Sequence, residues 1–249
     1  MKCFKEGVSV TEKKNILIIC QSAAGQMYLG VLLGRFWYTP LLTRTTEEGI
    51  RLVQGKNCSL IVLDGDLPDQ ARKMAISLLR SHAAVRDLPL IVLTTAENAA
   101  ENKALFADSS SAVVTKPIDL TMLYGTISRL IGQQRNTPRI PVKFRVVVEE
   151  GTPAKELFCT NLSEGGLYLR THEPLPEKTL LHLSFALPRS TGTVSVACEV
   201  VRTALLGTEL AAEPGMGLRF INLPDEVLLQ LRNFVQWEMI GDLEWEATI

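Results

Sequence analysis

The hydrophobic pattern of this 249-residue chain changes period once, near Gly132, and that change calls for two folds rather than one. Before it, short apolar runs alternate with longer segments whose apolar residues recur at three and four positions. The runs are residues 16–20, 60–63, 90–93 and 112–114, with a weaker one at 40–43. Between them lie 71–81, 98–107 and 120–131, the last carrying Leu120, Leu123, Ile127, Leu130 and Ile131 at helical spacing. Strands that are apolar throughout must be covered on both faces, which is the property of a parallel sheet flanked by helices. Five of them predict a doubly wound α/β domain over residues 1–132.

After Gly132 the runs become short and the punctuation dense. Residues 142–149, 155–161, 166–170, 180–187, 194–202 and 217–221 read as strands. Turn chemistry separates them at Glu150-Gly151-Thr152-Pro153, Ser163-Glu164-Gly165-Gly166, Pro188-Arg189-Ser190-Thr191-Gly192 and Glu213-Pro214-Gly215. Six such strands predict an antiparallel barrel or sandwich over residues 133–249. A closing helix follows, with Pro224 in its first turn and Leu228, Leu231, Phe234 and Val235 as its apolar stripe. The connecting segment from Gln133 to Arg139 is polar, and Pro138 turns Thr137 away from helical geometry.

Charge and composition exclude several classes. Residues 1–132 hold 15 Lys/Arg and 12 Asp/Glu, and the remainder holds 11 and 15. Neither half has the broad basic surface of a general nucleic-acid binder. Any anionic ligand of the second half must be small and held by a few arginines. The five cysteines (3, 20, 58, 159 and 198) form no CxxC pair, and His82, His172 and His182 lack ligand spacing, so no metal site is expected. Buried, reduced thiols in a cytoplasmic protein are the expectation. The apolar run at 16–20 is too short for a signal peptide, and no stretch approaches the ~20 residues of a membrane helix.

Two fragments of the second half carry chemistry: Arg135-x-x-x-Arg139, and Asn161-Leu162-Ser163-Glu164-Gly165-Gly166, which fits Asp/Asn-x-Ser-x-x-Gly. With Pro138-Arg139-Ile140-Pro141-Val142 before the first strand and Gly215-Met216-Gly217-Leu218-Arg219-Phe220 near the end, residues 133–237 resemble the PilZ family. The resemblance implies a six-stranded barrel with a C-terminal helix that binds cyclic di-GMP through Arg135, Arg139, Asn161, Ser163 and Gly166. The residue types suit that ligand. An arginine fork matches the O6/N7 edge of guanine, pairs with phosphate and stacks on a purine. Asn161 and Ser163 are short polar groups at a strand end, and Gly166 permits close approach of ligand or backbone. Arg170, Arg202 and Arg219 fall on expected strands, where they are read as lining the site or, more readily, as a solvated face. Tyr168 is read equally as a base-stacking group or as a core or edge aromatic.

The first half, over about residues 14–132, resembles a response-regulator receiver (flavodoxin-like) domain. Asp64-Gly65-Asp66-Leu67-Pro68 follows an apolar strand as the phosphorylated aspartate does, Thr94 ends the next strand and Lys116-Pro117 the last. Receivers hold Mg²⁺ with an acidic pair after the first strand, and here that place reads Cys20-Gln21-Ser22. Val113 stands where an aromatic switch residue commonly lies. The domain is therefore expected to be degenerate, with Asp64 and Lys116 as an ion pair and docking or dimerisation as its role.

These readings converge on a non-enzymatic cytoplasmic adaptor with cyclic di-GMP as ligand, no cofactor, unidentified protein partners and room for a homodimer. It would involve no direct nucleic-acid contact and no membrane insertion. The processes implied by the family are motility, surface attachment and development. A phosphorylation-responsive regulator using Asp64 and a ligand-free interaction module remain open beside it.

Overall fold

The computed structural model describes residues 13–65, 67–106, 110–133, 137–149, 154–189, 192–205 and 213–241. They form two compact units, within residues 9–136 and 137–239.

The first unit runs β1 (Asn15–Ile19), α1 (Ala23–Arg35), β2 (Thr39–Thr43), α2 (Thr46–Val53), β3 (Cys58–Asp64), α3 (Asp69–Ser81), β4 (Leu90–Thr95), α4 (Ala99–Ala104), β5 (Ser111–Lys116) and α5 (Leu120–Leu130). The strands are parallel in the order β2-β1-β3-β4-β5, the doubly wound order whose sites lie at the carboxyl edge of the sheet. Ile16, Leu17, Leu60, Leu63, Leu90 and Ile91 in the central strands are fully buried, because helices cover both faces. The weak run at 40–43 is the edge strand β2, where Pro40 costs the sheet least. Side-chain caps begin three helices: Ser22, Thr45 and Asp119 accept from the backbone N–H of Gly25, Glu48 and Met122.

Two helices were not legible from periodicity. α1 has no charged residue before Arg35, so its buried Leu29, Leu32 and Leu33 do not stand out against exposed Met27 and Val31. α2 is only eight residues long. α4 ends at Ala104, shorter than the expected 98–107.

The second unit runs β6 (Ile140–Val148), β7 (Lys155–Ser163), β8 (Gly166–Arg170), β9 (Leu180–Ala186), β10 (Thr193–Ala204), β11 (Gly215–Ile221) and α6 (Asp225–Ile240). Its six strands close into an antiparallel barrel in the order β10-β11-β8-β7-β6-β9, with β9 pairing back to β10. Alternate residues fill the interior. Phe144, Phe185 and Phe220 stack through it at centroid separations of 5.5 and 6.5 Å. Gly215 corrects one expected turn: it begins β11, and a Cβ there would stand 2.2 Å from the Leu169 carbonyl oxygen. α6 buries Leu231, Val235 and Met239 and follows Pro224, whose carbonyl accepts from Leu228 N–H. It meets the strand turns through Arg232 on Glu164 and through Trp237 beneath the Arg189 guanidinium, 3.8 Å from the ring centroid.

Candidate functional site

Three register irregularities decide which polar residues leave the barrel. They fall at 141/144 in β6, 159/161 in β7 and 200/202 in β10. A bulge turns the residues after it to the other face. Cys159 points inward, and two positions later Asn161 is exposed instead of following it in. Across the sheet Asn161 pairs with Pro141 on one side and Tyr168 on the other. Tyr168 pairs with Gly217, and Gly217 with Arg202. One row thus runs over β6, β7, β8, β11 and β10 on the outer surface. Exposed Arg139 immediately precedes Ile140, the partner of Leu162 in β7.

The β7–β8 hairpin is built from the motif itself. Ser163 and Gly166 pair, and Ser163 Oγ donates to the Gly166 carbonyl at 3.1 Å. Ser163 is only 5% exposed, so its hydroxyl holds the hairpin. A Cβ on Gly166 would lie 2.1 Å from the Leu218 carbonyl oxygen: backbone, not open space, occupies the approach there. Gly165 accepts from Phe220 N–H at 3.0 Å. Glu164 is 4% exposed and takes Arg232 of α6 at 3.2 Å, a pair that sequence reading missed because its members lie 68 positions apart. Arg170 meets Glu213 at 3.2 Å, and Arg219 is paired with Glu199. These are exposed strand-face ion pairs, as expected of those arginines. Arg135 lies outside the described residues.

In the first unit, Asp64 ends β3 beside the start of α1. Its Oδ1 accepts from Lys116 Nζ at 2.7 Å and its Oδ2 from the Cys20 thiol at 3.0 Å. Burial, the hydrogen bond to Asp64 and the Asp64 charge push the Cys20 thiol up to about 12, so it remains a neutral donor. Thr94 is fully buried, its hydroxyl accepting from Asn102 Nδ2 at 3.1 Å. Arg72, 1% exposed, donates to the Gly65 and Leu67 carbonyls at 3.3 and 3.4 Å, bracing the loop after Asp64. Mg²⁺ requires several hard oxygen ligands. A protonated thiol stands where one would be needed, and Lys116 already neutralises the carboxylate. The described donors do not fit the ion. Asp66 lies outside the described residues.

Residues 133–237 match the family model of the PilZ domain. No curated protein matches the chain. About half of the chain is similar to several solved structures. A sensor protein from Polaromonas sp. JS666 is 24% identical, with 49% of this chain and 98% of that one covered and a TM-score of 0.43. The chemotaxis protein CheY4 of Vibrio cholerae is 19% identical, with coverage of 48% and 99% and a TM-score of 0.41. A response regulator receiver domain protein from Clostridium thermocellum is 17% identical, with coverage of 48% and 94% and a TM-score of 0.42.

Proposed function

We propose, from a chain whose residues 133–237 form a PilZ domain, that the protein is a non-enzymatic effector that binds cyclic di-GMP on the outer face of its barrel. The observation that carries this reading is the alignment of exposed Arg139 and Asn161 on one outer face, flanked by the rigid Ser163–Gly166 hairpin. Arg139 supplies a charged planar fork for guanine or phosphate. Asn161 offers an amide to a guanine edge. Ser163 and Gly166 act by shaping the hairpin. Arg135, four positions before Arg139, would close over the ligand from the connecting segment.

The division of labour falls at residues 132/133. The barrel reads the dinucleotide, and the α/β domain presents a protein-docking surface. Ligand capture engages the segment from Gln133 to Arg139 and so selects one inter-domain arrangement. The setting is cytoplasmic. The phosphorylation-responsive alternative is disfavoured by the Cys20–Asp64–Lys116 arrangement, in which a neutral thiol and an ammonium group engage both Asp64 carboxylate oxygens.

Calorimetric titration of the intact chain with cyclic di-GMP tests this. Micromolar or tighter binding is expected, weakened at least about tenfold in Arg139→Ala and in Asn161→Ala, each a loss of charged or bidentate contacts of about 1–3 kcal/mol. Unchanged affinity in both variants would overturn the site.

A further inference from the structure

The Tyr168 ring is held in an unusual way for a strand aromatic on the outside of a barrel. It lies across β11, over two glycines. A Cβ on Gly215 would come within 2.8 Å of Tyr168 Cε1, and one on Gly217 within 3.8 Å of Tyr168 Cδ2. Its hydroxyl donates to the Glu213 carbonyl at 2.5 Å, which fixes the ring at its far end. The Glu213 carboxylate in turn meets Arg170 at 3.2 Å. The side chain is half-buried, with its ring against β11.

Its neighbours are those a flat heteroaromatic ligand needs. Asn161, exposed, pairs with Tyr168 from β7. On the opposite side Arg202, also exposed, pairs with Gly217, where a Cβ would lie 3.6 Å from Arg202 Cβ. The bare strand at Gly217 thus forms a shallow floor between a pinned aromatic ring and the Cβ of Arg202.

We propose that Tyr168 is a stacking platform for one guanine of the bound dinucleotide, with Asn161 and Arg202 flanking the stacked base. This rests on the cyclic di-GMP reading above and adds residues outside its two motifs. Stacking suits the geometry because a fixed ring loses little freedom on binding, and every purine offers a π-face. Arg202 can lie over the outer side of the base or meet its O6/N7 edge.

The test is titration of the full chain with cyclic di-GMP, comparing wild type with Tyr168→Leu, Tyr168→Phe and Gly217→Val. Leu removes the π-face while still covering β11, and affinity is expected to fall at least about tenfold. Phe keeps the ring and should bind within about threefold of wild type. Val at Gly217 begins at ordinary contact distances, 3.6 Å from Arg202 Cβ and 3.8 Å from Tyr168 Cδ2, and its methyl groups would fill the floor between the ring edge and Arg202, so that a base on the ring cannot also reach Arg202 and binding weakens. The guanine H8 resonance should move upfield on binding to wild type and Tyr168→Phe, through the ring current, and not with Tyr168→Leu. Equal affinity in wild type and Tyr168→Leu, with affinity lost in Arg139→Ala, would overturn the platform alone. Absence of binding by wild type would overturn both readings. Should Tyr168→Leu fail to fold, Gly217→Val decides, and wild-type affinity in that variant would overturn the platform.

Discussion

At the scale of single residues, the motif proves to be as much architecture as recognition. Gly166→Ala forces a Cβ to within 2.1 Å of a carbonyl oxygen in β11. It should destabilise the barrel by about 2 kcal/mol or more, read as a shift in urea midpoint, so any loss of ligand in that variant is indirect. Glu164→Ala removes the buried carboxylate that Arg232 of α6 meets. Because the Arg232 side chain is 39% exposed, the expected cost is modest, about 1 to 2 kcal/mol in the same assay. The thiols set a pH limit. Burial leads the causes that raise Cys20, Cys159 and Cys198 from 9.0 to about 12. Such groups bind protons more tightly folded than unfolded. Their contribution to stability is complete below about pH 9 and is lost as pH rises from there toward 12. Thermal melts should show a falling midpoint above pH 9, and native Cys20 should resist alkylation at pH 8. A midpoint that rises above pH 9 would contradict these assignments.

At the scale of elements, the sequence revealed what is local and hid what is long-range. The period-2 strands and the 161–166 motif are each contained within a few positions, and each emerged close to its expected bounds; the expected turn at 150–153, and residues 190 and 191 of that at 188–192, lie outside the described residues. β7 and β10 run two residues beyond theirs. The outer-face row required pairings of β8 with β11 and β11 with β10, across separations that no periodicity encodes. Gly215-Met216-Gly217 carried the missed signal: glycine at alternate positions of a strand marks a close approach, here of the Tyr168 ring. In the α/β unit, the missing acidic pair was visible after β1, but the thiol-to-carboxylate bond that replaces it was not. That substitution has an element-level consequence. The intact chain should take no phosphoryl group onto Asp64 from a small acyl phosphate in the presence of Mg²⁺, by mass spectrometry. Cys20→Asp combined with Gln21→Asp should restore Mg²⁺ binding at the carboxyl edge of the sheet. A phosphorylated wild-type chain would contradict the closed reading of this site, as would the failure of a folded double variant to bind Mg²⁺.

At the scale of the whole molecule, two folds with opposite charge excess share one chain, and the account gives them different work. The α/β unit keeps the buried parallel core of a doubly wound domain while its Asp64 is engaged by Lys116 and Cys20. The barrel keeps an outer face on which Asn161 of β7 and Tyr168 of β8 pair directly, Arg202 of β10 follows across Gly217 of β11, and Arg139 lies just before β6. The central claim is that cyclic di-GMP is captured on this face. Hydrogen exchange of the full chain with and without the dinucleotide tests it most directly, since it reports location as well as binding. The account predicts added protection in the segment from Gln133 to Arg139, at the Glu164–Gly165 turn and along the outer edges of β8, β10 and β11. Unchanged exchange at saturating ligand, or protection confined to residues 15–130, would contradict it.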